Sequence, residues 1–317
     1  MIVAPDHPLI QFTDCFAVDV TGQRARFSRP ALDSVGFEHV SPGARVRFMT
    51  DAASLAVTLR HTALMTRRDA FRNIGAVMID GQVARDFRFL GKWTTAADVE
   101  VRMDHAIPRP RLHELVMPYG ISLDVLRLEI PDTARLMDAA PRPAKRLVAY
   151  GDSVTQGFQA RDVTRSWPFL LAEAKQWQLI NLGYGSRQMT PGDATVIAAA
   201  KPDVLTIQIG TNDYAQQVPL GPFVTGFHAF LTQACALCPE AAIYVLSPLW
   251  TALDRVVSIK VYWAAINDAT RAVGCDRVRL IDGRGLVDHD LACFWDGVHP
   301  NDAGMRQIAE RLIPQLA

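Results

Sequence analysis

Residues 146–153 have the sequence RLVAYGDS, an apolar run of strand length that ends in glycine, aspartate and serine. Four further apolar runs follow it, at residues 179–183, 203–210, 242–247 and 277–282. Stretches with helical character separate or follow these runs, at residues 166–178, 191–200, 222–238, 258–273 and from 300 onward. Strands that alternate with helices indicate βαβ units. Residues 141–317 are therefore predicted to form an α/β domain in which helices cover both faces of a parallel sheet.

The first half of the chain has a different period. Residues 45–48 and 54–60 alternate between apolar and polar side chains, as half-buried strands do. Asp80-Gly81 lies between two strand-like runs and is a strong hairpin signal. Further candidate strands at residues 99–103, 113–117 and 125–130 predict an all-β sandwich of jelly-roll type over residues 1–140. The proline-rich stretch 131–145 is predicted to be the connector.

Composition excludes several classes of protein. Apolar residues make up 49% of the 317 residues and charged residues 21%, which is typical of a folded globular chain. The 33 basic residues balance the 33 acidic residues, so the charge does not suggest a nucleic-acid partner. Since no apolar run is long enough to span a bilayer and residues 1–14 do not resemble a signal peptide, we expect a cytoplasmic protein without a membrane partner. The sequence leaves the oligomeric state open.

The cysteines and histidines do not suggest a metal site or a cofactor. Five cysteines scattered over the chain fit reduced thiols better than a disulfide framework. Cys235 and Cys238 form a single CxxC pair without a second pair or closely spaced histidines, so we interpret them as small residues at a helix end. The sequence therefore predicts an activity that needs no metal and no cofactor.

Side chains that could take part in catalysis follow two of the predicted strands and precede the last predicted helix, where an α/β sheet would bring them together. Ser153 lies on a strand-to-helix turn, where its own N–H can stabilise an oxyanion, although Gly-Asp-Ser is also an ordinary turn before a helix cap. Asn212 offers an amide donor after the third strand. Asp296 lies three residues before His299, and Pro300 is predicted to open the last helix. This pair can deprotonate a serine, because the carboxylate stabilises the imidazolium that forms.

These segments together resemble those of the SGNH or GDSL hydrolases, serine esterases of flavodoxin-like topology. The resemblance covers residues 145–317 and rests on Gly151-Asp-Ser153, Gly210-Thr-Asn212-Asp and Asp296-Gly-Val-His299-Pro. It implies that Ser153 is the nucleophile, His299 the base and Asp296 its orienting carboxylate. It also implies an oxyanion hole made by the Ser153 N–H, the Asn212 side chain and a backbone N–H after the second strand.

The donor after the second strand departs from the family pattern. Family members often have a glycine five residues after the asparagine of this strand, whereas Asn181 is followed at that spacing by Ser186. We predict Gly185 as the donor, with Ser186 as the alternative.

The first half is similar to the β-sandwich that precedes the hydrolase domain in some carbohydrate acetyl esterases. This similarity rests on the sequence of residues 43–51. This similarity favours a substrate that carries a short acyl group, above all an acetyl group, as an ester on an oligosaccharide or another small molecule. Trp295 is the candidate that would stack on a sugar, the alternative being that it only packs.

The sequence predicts a serine esterase that works through an acyl-enzyme. A thioesterase or lysophospholipase with the same three residues stays open as an alternative, because the depth of the acyl pocket is not visible in the sequence. A carbohydrate-binding protein without catalysis is the alternative from another class. Replacement of Ser153, Asn212 or His299 would favour it, and all three are present.

Overall fold

The structure, a computed structural model, describes residues 1–32, 39–64, 73–89 and 96–317; the side chains of residues 62–64 are not described. The chain divides into two compact units. The N-terminal unit comprises Met1–Arg142 with Asp162–Thr164, and the C-terminal unit comprises Pro143–Arg161 with Arg165–Ala317. Each unit has its own sheets.

Antiparallel strands build the N-terminal unit. Its strands in the described part of the chain are β1 (Ile2–Val3), β2 (Gln11–Thr13), β3 (Ala17–Val20), β4 (Ala25–Ser28), β5 (Arg45–Thr50), β6 (Ser54–Leu64), β7 (Ile74–Ile79), β8 (Gln82–Arg88), β9 (Ala97–Asp104), β10 (Arg111–Val116), β11 (Ile121–Glu129) and β12 (Leu136–Met137). One sheet has the order β3-β4-β11-β6-β9 with β1 beside β11, and the other has the order β12-β5-β10-β7-β8 with β2 beside β5.

The two sheets share an apolar core. Phe27, Val57 and Val101 contribute to it from one sheet, and Phe48 and Leu115 from the other. Since two antiparallel sheets share this core, the unit is a β-sandwich. The jelly-roll connectivity stays a prediction.

The Asp80-Gly81 hairpin lies where the sequence predicts it, between β7 and β8. Both residues have positive φ, 51° and 80°, as a two-residue turn of type I′ requires. Ile79 and Gln82 pair directly across the turn.

Strands and helices alternate in the C-terminal unit. In chain order its elements are β13 (Arg146–Gly151), α1 (Ser153–Gln156), α2 (Trp167–Lys175), β14 (Gln178–Gly183), α3 (Asp193–Ala199), β15 (Val204–Gln208), α4 (Thr211–Ala215), α5 (Leu220–Leu237), β16 (Ala242–Leu246), α6 (Ile259–Ala272), β17 (Val278–Ile281) and α7 (Asp302–Leu312), together with short 3-10 turns.

The five strands of this unit are parallel in the order β14-β13-β15-β16-β17. This is the flavodoxin-like order 2-1-3-4-5, which reverses direction beside the first strand and leaves a crevice at the carboxyl ends there. α2 packs against α7, whereas α3 and α6 pack against α5. The central strands β13 and β15 are almost wholly buried, as expected for a sheet covered on both faces. The α/β prediction is confirmed.

Two sequence predictions about local structure are wrong. The stretch 131–145 is not only a connector, because Leu136 and Met137 form a short strand paired with β5. Pro300 is not the first residue of the last helix. It pairs with Phe294, and the side chain of Asn301 caps the helix by accepting from Ala303 N at 3.0 Å.

None of the helices in the described part of the chain has both the length and the apolar character needed to cross a bilayer.

Candidate active site

Ser153 lies at the carboxyl end of β13, the first strand of the parallel sheet. Asp152 caps the short helix α1, its Oδ1 accepting a hydrogen bond from Val154 N at 2.9 Å, so Ser153 is the first helical residue. The first N–H groups of a helix have no partner within the helix. The Ser153 N–H accordingly donates to no group among the described residues. It is available to stabilise negative charge.

His299 and Asp296 lie within hydrogen-bond distance of this serine and of each other. Ser153 Oγ is 2.9 Å from His299 Nε2, and His299 Nδ1 is 2.8 Å from Asp296 Oδ2. Because an ionised carboxylate only accepts hydrogen bonds, the ring proton lies on Nδ1, and Nε2 is left to accept the serine proton. The structure thus brings together the three residues that the sequence analysis selected, in the geometry of a nucleophile, a base and an orienting carboxylate.

The Asp296 carboxylate, whose side chain is 48% exposed, is charged at neutral pH. Partial burial raises its pKa, but hydrogen bonds from the side chain and backbone of His299 lower the pKa more, to about 2.

The turn that carries Asp296 and His299 is fixed through the Gly297 carbonyl. This carbonyl accepts from Thr251 Oγ1 at 2.9 Å and from Ala252 N at 2.8 Å.

Asn212 lies in α4, a short helix directly after β15 that the sequence analysis did not predict. Its Nδ2 donates to the Arg187 carbonyl at 3.1 Å. An amide nitrogen carries two N–H donors, so this bond orients the side chain and leaves one donor for another acceptor.

The loop after β14 gives Gly185 and Ser186 different roles. The Gly185 N–H donates to Gln156 Oε1 at 2.8 Å, so the donor predicted at this position already has a partner. Ser186 is exposed, and its N–H donates to no group among the residues that the structure describes. Its φ of 61° is in the left-handed region, where glycine is the usual residue. Ser186 therefore takes the place that glycine has in the family pattern.

This loop packs tightly on α1 because β14 ends in glycine. A Cβ at Gly183 would lie 2.1 Å from Gln156 N, so no larger residue fits without a shift of the helix. The Asn181 side chain donates to the Thr155 carbonyl at 2.9 Å and accepts from Gly183 N at 2.8 Å. These contacts fix the loop after β14 against the turn that carries Ser153.

Two buried aspartates flank the site, and the sequence analysis missed both. Burial raises the pKa of Asp152 to about 6, even though Val154 N–H lowers it, and burial likewise raises the pKa of Asp213 to about 6. Asp152 precedes the serine, and Asp213 follows the asparagine. Asp152 directly follows β13, and Asp213 lies in α4, the short helix after β15; these positions near the ends of buried strands are the signal that could have identified them.

Two aromatic side chains lie beside His299. Trp295 is 56% exposed while its Nε1 donates to the Gln159 carbonyl at 2.9 Å, so the ring is held but accessible. The Phe158 ring, whose centroid is 4.6 Å from that of His299, packs against the imidazole. Trp263 instead is buried, with Nε1 donating to the Pro248 carbonyl.

Within the described ranges, no group of three or more His, Cys, Asp or Glu side chains is arranged to hold a metal ion. The five cysteines are free thiols.

The chain is similar to several known proteins. The GDSL lipase Rv0518 of Mycobacterium tuberculosis is 26% identical over 192 residues, which covers 53% of this chain and 79% of that protein. The structure of a salicylyl-acyltransferase, SsfX3, from a tetracycline biosynthetic pathway superimposes with a TM-score of 0.82 at 20% identity, covering 98% of this chain and 94% of that one. A family two carbohydrate esterase from Clostridium thermocellum in complex with cellohexaose gives a TM-score of 0.75 at 15% identity, covering 96% and 97%.

The two structural likenesses establish the fold. Family membership rests on the sequence itself, because the model of the GDSL-like lipase/acylhydrolase family matches residues 149–307, half of the chain, from the serine segment through the histidine segment. The resemblance noted from the sequence is thereby confirmed: the chain belongs to the GDSL-like lipase/acylhydrolase family.

Proposed function

We propose that this protein is a serine esterase that removes short acyl groups, acetyl above all, from a carbohydrate or a similar small alcohol. The observation that carries the proposal is the continuous chain of hydrogen bonds from Ser153 through His299 to Asp296. Such a chain of hydrogen bonds activates a serine hydroxyl as a nucleophile. Membership of a lipase/acylhydrolase family supports the same chemistry.

In the proposed reaction, Ser153 Oγ attacks the ester carbonyl while His299 Nε2 takes the hydroxyl proton. The tetrahedral intermediate collapses, the C–O bond to the alcohol breaks, and His299 returns the proton to the leaving oxygen. Water then attacks the acyl-enzyme with His299 again as the base, and the acid leaves as Ser153 regains its proton.

The developing oxyanion would accept hydrogen bonds from three donors, namely the N–H of Ser153, the side chain of Asn212 and the N–H of Ser186. We prefer Ser186 to Gly185 because the Gly185 N–H already donates to Gln156. Donors aimed at this oxygen act mainly in the transition state, where the charge is largest.

The sugar part of the proposal rests on Trp295 and on the structural likeness. An exposed indole ring whose nitrogen is held by a carbonyl offers a fixed apolar face, which suits stacking on a sugar ring. The carbohydrate esterase with a bound cellohexaose shares the whole fold of this chain. Both observations favour an acylated oligosaccharide over a long-chain lipid.

A substrate panel tests the proposal. Rates with p-nitrophenyl acetate, butyrate and octanoate would be measured beside acetylated xylo-oligosaccharides and an acetyl thioester, with Ser153→Ala as the inactive control. We expect the acetate to exceed the octanoate, and Trp295→Ala to raise KM for the oligosaccharide but not for p-nitrophenyl acetate. Faster turnover of the octanoate or the thioester would move the assignment to a lipase or a thioesterase, and no hydrolysis of any ester would overturn it.

A further inference from the structure

A buried ion pair lies behind the loop that follows β14, outside the residues assigned to the reaction so far. The Arg187 guanidinium contacts both oxygens of the Asp193 carboxylate, its Nε lying 3.0 Å from Oδ2. The two side chains are only 6% and 3% exposed. The Tyr150 hydroxyl donates to the same carboxylate, and Thr190 donates to it through Oγ1 at 2.8 Å.

This cluster is connected to the turn that carries Ser153 through Tyr150. Tyr150 is part of β13 and lies three residues before Ser153. Burial and the neighbouring Asp193 carboxylate raise the pKa of its hydroxyl, which therefore keeps its proton and donates. The carboxylate thus connects the strand under the nucleophile with the loop that carries Ser186.

The backbone of Arg187 is held as firmly as its side chain. Its carbonyl accepts from Asn212 Nδ2, and its N–H donates to the Tyr184 carbonyl at 3.1 Å. Asn212 and Ser186, two proposed oxyanion donors, therefore both depend on where Arg187 lies. One is hydrogen-bonded to Arg187, and the other precedes it in the chain.

Ser186 needs such support because of its backbone. A left-handed φ is strained for a residue other than glycine, so the conformation persists only where the surrounding structure imposes it. The ion pair at the next residue can supply that constraint, since a bidentate arginine bond fixes orientation as well as distance.

We propose that Asp193 is a positioning residue which, through Arg187, holds the Ser186 N–H and the Asn212 amide at the oxyanion of the reaction. The inference rests on the esterase activity proposed above. It gives a role in that activity to a buried residue that does not contact the substrate. Misplacing a donor costs less than removing one, which typically lowers kcat by 10²–10³.

Asp193→Asn keeps the size of the side chain and removes its charge. We expect kcat per titrated active site to fall by about 10–10²-fold with KM changed by less than about threefold. Binding of a trifluoromethyl ketone, which forms a tetrahedral adduct with an oxyanion, should weaken by the same factor as kcat. A purely structural role would lower the melting temperature and leave both quantities unchanged.

Arg187→Lys is the second variant, for the case in which Asp193→Asn does not fold. It keeps the charge but not the two-point contact, and it should show the same selective loss of kcat and of ketone affinity. Arg277→Met is the matched control in the same unit. Arg277 donates to the backbone carbonyls of Cys235 and Cys238 at the end of α5, so its loss should lower stability without changing kcat.

Full kcat in folded Asp193→Asn or Arg187→Lys would overturn the inference, and so would an equal loss in Arg277→Met. Failure of the esterase proposal is distinguishable from this, because the wild-type protein would then neither hydrolyse an ester nor bind the ketone, and the inference would fall with it.

Discussion

Replacing Asp213 with asparagine should stabilise the folded protein at neutral pH, even though it alters a residue beside the proposed oxyanion donor. The Asp213 carboxyl is 4% exposed, and its Oδ2 has no hydrogen-bond donor among the described residues. Burial disfavours the charged form and raises the pKa from 3.8 to about 6, although a hydrogen bond from the residue's own backbone N–H lowers it. The native protein therefore carries an unfavourable charge at this position above pH 6.

The size of the effect follows from the difference between these two pKa values. At 1.36 kcal/mol per pKa unit, the rise from 3.8 to about 6 corresponds to about 3 kcal/mol. The asparagine amide also loses contact with water, so we expect a net gain of about 1–3 kcal/mol. At about 2–4 °C per kcal/mol for a unit of this size, the melting temperature should rise by about 2–12 °C.

The stability gained by Asp213→Asn depends on pH within a defined window. Between pH 3.8 and about 6 the folded protein holds the Asp213 proton while the unfolded chain has released it. Wild-type stability therefore falls as the pH rises through this window, and the loss is complete above about pH 6. The advantage of Asp213→Asn should be absent near pH 4 and full near pH 8.

Scanning calorimetry of the variant and the wild type near both pH values measures the effect. Asp288→Asn is the control with the opposite sign, because a hydrogen bond from Arg311 lowers the pKa of that exposed carboxyl. It should be slightly less stable than the wild type near pH 8, and the difference should disappear only below the lowered pKa of Asp288. A lower melting temperature for Asp213→Asn near pH 8, or the same gain at both pH values, would refute the reasoning.

Two substitutions test the catalytic groups directly. Asp296→Asn removes the charge that stabilises the His299 imidazolium, so kcat should fall by about 10²–10⁴-fold in steady-state assays; nearly full activity would mean that the serine and histidine suffice. Asn212→Ala should lower kcat by about 10²–10³-fold with little change in KM, because it removes a proposed oxyanion donor. Full turnover in a merely destabilised Asn212→Ala protein would leave this asparagine only a structural role.

The fold of the C-terminal unit could be predicted because its signal is local. Buried parallel strands such as β13 and β15 are short apolar runs in the sequence, and the intervening helices have their own period. The two-residue strand β12 has no such signal. It exists only because β5 offers an edge to pair with, and a partner so distant in the chain leaves no local pattern.

The candidate site likewise contains residues that a local sequence signal predicts and one that it does not. Ser153, Asn212 and the pair Asp296 and His299 follow elements that the sequence identifies, so their convergence could be expected from topology alone. The donor after β14 could not be assigned in this way. The proposal of Ser186 depends on the Gln156 side chain, which accepts from the Gly185 N–H across 29 residues. The Ser186 N–H is then the proposed donor.

The measurement that tests the central claim most directly is covalent labelling of the nucleophile. An alkyl phosphonate that mimics a short acyl ester would be incubated with the protein, and the adduct would be counted by intact mass spectrometry and located by peptide mapping. We expect one adduct per chain, on Ser153, formed in step with the loss of esterase activity. The Ser153→Ala protein should be folded, unlabelled and inactive. An adduct on another residue, or esterase activity that persists in Ser153→Ala, would contradict the account.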